Sequence, residues 1–241
     1  MRNLKVFLLS IIGVLTMTMA NAQSVDDIIN KYIDAIGGKD VLSKINSIYE
    51  ETTMQVMGNE APNNITIVNG KGYRSETDFN GQKIITSISD KGGWMVNPMS
   101  GANDPTPLPA DQFKNYKEQL YVGGPLYNYA ANGYKAELAG QEKVGTVNAY
   151  KIKLTSKDST ESFFYIDPTT YYIIKETRHG NVMGQDIEIT VTMSNYKKTD
   201  FGFSLPNSID MDLGQFQMST TVKKVEVNKP VDPKIFDMPG K

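Results

Sequence analysis

Residues able to do covalent or metal chemistry are scarce in this chain, and their spacing does not favour it. There is no Cys and a single His, His179. Thiol nucleophiles, thiolate metal sites and multi-histidine zinc sites are thereby excluded. His179 precedes Gly180 in an expected turn, with no base or metal partner near it in sequence, and reads as a surface residue. Glu50 and Glu51 are adjacent in an expected strand. Successive strand side chains point to opposite faces, so these two carboxylates cannot form a catalytic dyad. Asp210 and Asp212 share a face, but it is the polar one. The run from Asp210 to Gly214 has the opening of a calcium loop without its later ligands or its glycine spacing. The Ser and Thr residues between 155 and 170 form a solvated hairpin, and neither a Gly-x-Ser-x-Gly elbow nor a phosphate-binding glycine run is present. The residues give no support for an enzyme, a cofactor or a metal.

The distinctive side chains are apolar. Met54, Met193, Met211 and Met218 fall in expected strands beside Val56, Ile65, Ile67, Trp94, Ile189 and Phe216. Methionine is flexible and polarizable and accommodates ligands of irregular shape. A sheet curved around such residues either packs them as a core or encloses a greasy ligand such as an acyl chain. Composition alone favours the packed core.

The elements that must position these residues are one helix and then strand after strand. Ser24 is the expected N-cap, and Val25, Ile28, Ile29, Tyr32, Ile33 and Ile36 recur at helical spacing before Gly37-Gly38. A second short helix is expected over 40–45. Asn69-Gly70, Asn80-Gly81 and Gly92-Gly93 separate strand-like runs, the pattern of consecutive hairpins. Residues 99–109 are polar, and Pro105, Pro107 and Pro109 argue against regular pairing there. A helix follows with Phe113, Tyr116 and Leu120 on one face, then a short one from Pro125 to Gly133. This 99–133 interruption is either a mobile cover or a passive crossover. Strands resume from 135, and about a dozen are expected in all. Ile187, Ile189, Val191 and Met193 alternate with polar residues, as do Leu205, Ile209, Met211 and Leu213, which gives one apolar and one wet face. In the last strand the apolar phase flips, and a bulge near Lys223 accounts for it.

Arg2 and Lys5, the apolar run Val6 to Leu15 and Ala20-Asn21-Ala22 make residues 1–22 an expected signal peptide. The run is too short to serve comfortably as a membrane anchor. Residues 23–241 are expected as one soluble domain outside the cytoplasm: periplasmic in a Gram-negative source, otherwise secreted. That domain carries 23 basic and 27 acidic residues, and only Arg74 and Arg178 remain as arginines, so nucleic acid is not an expected partner.

Several stretches in order along the chain resemble one family. They are Ala35-Ile36-Gly37-Gly38 with Val41, Leu42 and Ile45; 90–98 around Gly93-Trp94; Phe164-Tyr165-Ile166-Asp167-Pro168; Asn195-Tyr196-Lys197-Lys198 with Leu205-Pro206; and Val225 to Asp232 through Phe236 and Pro239. Together they resemble the LolA-like lipoprotein-sorting proteins of the bacterial envelope. The resemblance implies an α+β fold: a half-open antiparallel β-barrel covered on one side by helices around an apolar cavity. It implies a monomeric carrier for lipid or lipoprotein acyl chains that meets envelope membrane proteins. The family's cavity arginine has no assignable counterpart, and Arg74 sits on a polar strand face. The alternative is a non-enzymatic envelope scaffold or interaction module with a filled core.

Overall fold

The computed structural model describes residues 23–56, 58–182 and 185–240, so the expected signal peptide lies outside the described residues. Helix α1 spans Val25–Ala35. The Ser24 side chain accepts from the Asp27 N–H, and the Asp27 carboxylate accepts from the Ser24 N–H, so two otherwise orphaned donors at the helix start are satisfied. Gly38 ends the helix at φ 84°, where its N–H donates to the Ile33 carbonyl over 2.9 Å. Beside it Gly37, at φ 132°, has no room for a side chain, because a Cβ there would lie 2.8 Å from the Gly202 carbonyl oxygen. Helix α2 is a single turn, Lys39–Leu42.

The strands form two blocks. The first is β1 Ser47–Val56, β2 Asn59–Val68, β3 Gly72–Phe79, β4 Gln82–Ser89, β5 Gly92–Asn97 and β6 Ala102–Pro107. Helix α3, Ala110–Tyr116, and a 3-10 turn, Lys117–Leu120, then lead to the second block. That block is β7 Lys135–Val144, β8 Val147–Thr155, β9 Glu161–Ile166, β10 Ile173–Val182, β11 Gln185–Lys198, β12 Ser204–Asp212 and β13 Gln217–Val227. All thirteen described strands belong to one antiparallel sheet, in which β1 pairs with β13 and joins the two blocks. Strands β6 and β7 are its free edges, so the sheet is open rather than closed into a barrel.

Four sequence expectations change. Strand β6 pairs with β5 through Trp94–Pro107 and Met95–Thr106 despite its prolines. It is an edge strand, and a proline there need not donate to a second neighbour. Strand β2 starts six residues earlier than its apolar run, and its Pro62 falls where β2 pairs with β1 alone. The expected turn at His179-Gly180 is continuous strand, with His179 paired to Glu188 and exposed. Residues 125–133 form successive turns rather than a helix. The bulge at Lys223 is present: Glu51 pairs with Lys224 and Thr52 with Val222, which leaves Lys223 as the extra residue.

We call inner the sheet face against which α1 packs. Ile28, Ile29, Tyr32 and Ile33 of α1 are buried in one apolar cluster with Ile48, Ile152, Phe164, Ile166, Leu205 and Val222 from five strands. On the outer face the chain beyond β13 runs back across β1, β3, β4 and β5. Lys229 stands over the Tyr49 ring at 4.5 Å, and the Phe236 ring occupies the space a side chain at Gly72 would take.

Candidate functional site

Pairing register places the candidate side chains without reference to any ligand. On the inner face one cross-strand row runs Ala61, Met54, Thr220, Ile209, Met193. The next runs Val56, Met218, Met211, Val191. Five of the sequence-selected residues, Met54, Val56, Met193, Met211 and Met218, thus lie in two adjacent rows. Ile65 and Ile67 continue the same face toward α1, opposite Glu50 and Ile48.

The residues do not all share one space beneath α1. Ile189, Val191 and Leu213 form a second buried cluster with Met193, Met211, Phe216 and Met218 packed against it, and no α1 residue belongs to it. Met193 touches both clusters. Trp94 is on the other side of the sheet. It pairs with Ser87, and Ser87 with Arg74, in the outward-facing register. Its indole N–H donates to the Phe236 carbonyl at 2.9 Å, and the Arg74 guanidinium lies over its ring at 5.1 Å. The GG-W run carries no sign in the sequence of which face its Trp occupies, because a segment 142 residues later covers it. Arg74 also donates to the Ile235 carbonyl at 2.9 Å and pairs with Glu76. It clamps the C-terminal segment and has no part in the inner face.

Met54, Val56, Ile65 and Ile67 are half-buried, although they share a face with the core cluster. Polar groups among them are tied to each other. The Asn63 side chain donates to Thr52 Oγ1 and accepts from the hydroxyls of Ser75 and Thr77, and the Thr77 hydroxyl also reaches Met54 Sδ. Two inner-face carboxyls were missed by reasoning from composition. Glu176 is held above the ordinary carboxylate range by burial, and Arg178, 3.2 Å away, opposes that shift. Glu50, flanked by Ile65 and Val225, is pushed up to about 7 by burial alone. The signal available in the sequence was its alternation with Ile48, which puts it on the core side of β1.

A recess of about 440 Å³ lies near the far ends of β1, β11, β12 and β13, lined by Gln55, Thr190, Thr192, Asp210, Asp212 and Gln217. Those side chains point outward in register, and Asp212 is engaged by the Gly214 N–H and Gln217. Among the described residues no three His, Cys, Asp or Glu side chains converge as a metal site.

No protein-family model matches the chain, and no curated protein matches it. Solved structures do. A LolA superfamily protein from Nitrosomonas europaea aligns with a TM-score of 0.59 at 13% identity, over 89% of this chain and 97% of its own. A protein described as an outer membrane lipoprotein-sorting domain, from Vibrio parahaemolyticus, aligns with a TM-score of 0.58 at 12% identity, over 88% and 97%. At such identities the likeness is one of fold, and by fold this chain is LolA-like.

Proposed function

We propose that this chain is an exported, non-enzymatic carrier that holds lipid, or the acyl chains of lipoproteins, against the inner face of its sheet. The supporting observation is the half-buried apolar stretch Met54, Val56 and Ile65, which faces the core side of the sheet yet belongs to neither core cluster, with Ile67 bordering it against the α1 cluster. An acyl chain crossing water costs about 0.8 kcal/mol per exposed CH₂, so a carrier must offer apolar surface that a ligand can cover. Met193, Met211 and Met218 extend that surface, and Ile189 and Phe216 bound it at the far end. Trp94 has no place in it. The structural likeness to a lipoprotein-sorting domain is in keeping with this reading, and a periplasmic monomer docking on envelope membrane proteins follows from it.

The filled-core scaffold remains the competing reading because Ile189, Val191 and Leu213 are buried. Native mass spectrometry of protein purified without detergent, followed by titration with a fluorescent fatty acid, separates the two. The carrier gives co-purifying lipid and saturable binding near one probe per chain. A chain that carries no lipid and binds no probe is a scaffold.

A further inference from the structure

Glu50 is the one inner-face carboxyl without a charged partner among those described above. It stands between Ile48 and Thr52 along β1 and between Ile65 and Val225 across the sheet. Among the described residues no hydrogen bond or ion pair engages its side chain, whereas the neighbouring Thr52, Asn63, Ser75 and Thr77 satisfy one another. The one buried side-chain polar atom without a partner among the described residues is Asn97 Oδ1. The Glu50 oxygens, equally unpartnered, must therefore touch open space. A carboxyl flanked by apolar neighbours is thus left open to solvent and to a ligand.

Among the described residues both arginines and Lys224 are committed elsewhere. Arg178 is paired with Glu176 on β10, Arg74 is on the outer face, and Lys224 meets Glu51 on that outer face too. Glu50 is thus an inner-face acceptor that no described protein donor occupies.

We propose that the ligand of the inner face carries a hydrogen-bond-donating polar group, an amide or an ammonium, and that Glu50 selects it. This rests on the carrier reading. An amide N–H or an ammonium finds in Glu50 an acceptor that no protein group occupies. With Glu50 ionised, as at pH 8, an ester finds no donor in it, and an anionic head meets a second acid in an apolar setting, where charge is costly to bring in.

The test is displacement of a bound uncharged fluorescent dye, N-phenyl-1-naphthylamine, from the mature chain by four twelve-carbon competitors below their micelle concentrations at pH 8. These are dodecylamine, N-methyldodecanamide, methyl dodecanoate and dodecanoate. The amine and the amide should displace at five-fold or more lower concentration than the ester and the carboxylate. Glu50→Gln should bring the amine down to the ester, Glu50→Asp should keep the preference, and Glu51→Gln on the outer face should change nothing; a denaturant midpoint on each variant checks folding. Equal displacement by all four competitors in the wild-type chain overturns the proposal and leaves the carrier standing. So does an amine preference that survives Glu50→Gln. A chain that binds no probe ends both.

Discussion

The indole N–H of Trp94 donates to the main-chain carbonyl of Phe236 at 2.9 Å, and Ser87 Oγ donates to the same oxygen at 3.3 Å. Two neighbouring strands are thus fastened from outside by the C-terminal segment. The Phe236 ring is buried, and it lies where Gly72 leaves no side chain. This contact gives the single Trp a fixed environment, 3% exposed.

Phe236→Ala should therefore loosen the segment and uncover Trp94. The expected cost is about 3–5 kcal/mol, the range for removing a buried Phe, and the tryptophan emission should move to the red. A variant with unchanged emission would show that the segment does not shield the ring. Probe binding at the inner face should survive, because the sheet separates the two.

Stability should depend on pH through Glu50. Its carboxyl is pushed up to about 7 from an ordinary 4.5 by burial. The folded chain therefore holds a proton that the unfolded chain releases between those values, and stability falls as pH rises through that interval. The full shift would correspond to about 3 kcal/mol, and solvent contact at the carboxyl reduces this to about 1–2 kcal/mol. Tyr73, also pushed up by burial and coupled to Glu50 and Tyr116, titrates above this window. The stability of Glu50→Gln relative to wild type should climb between pH 4.5 and 7.5 in paired denaturant curves. A difference that stays flat would place Glu50 in ordinary solvent.

The capping box of α1 gives an independent check on how firmly that helix is held. Ser24→Ala removes the acceptor for the Asp27 N–H, 3.1 Å away, and should cost about 1 kcal/mol. Its effect should appear in thermal unfolding and leave the probe titration unchanged. A loss of binding with no loss of stability would instead implicate the helix start in ligand entry.

The sequence was informative wherever local physics decides. The α1 stripe, its Ser24 start and its double-glycine stop follow from helical period and capping chemistry. The Asn-Gly hairpins and the Lys223 bulge follow from turn residues and a phase change in alternation. That the candidate methionines share one face was legible for the same reason, since register preserves the period of two. What was not legible depends on distant partners. Trp94 is apolar and strand-borne, and only the returning Phe236 decides its face. Strand β6 pairs because it is an edge, which its own prolines cannot announce. The split of the inner face into two clusters depends on how far α1 reaches, and Glu50 gains its importance from Ile65 and Val225 across the sheet.

Met193 decides most directly between container and packed core, because it touches both clusters and is itself half-buried. The measurement is a fluorescent fatty-acid titration of wild type and Met193→Asp, read beside the denaturant midpoint of Met193→Ala. The carrier account expects saturable binding by wild type, binding weakened by Met193→Asp in a chain that still folds, and a Met193→Ala cost of about 2 kcal/mol or less, at or under the low end for a core methionine. A wild-type chain that binds no probe, with Met193→Ala costing well above about 2 kcal/mol, would contradict it and leave a filled scaffold.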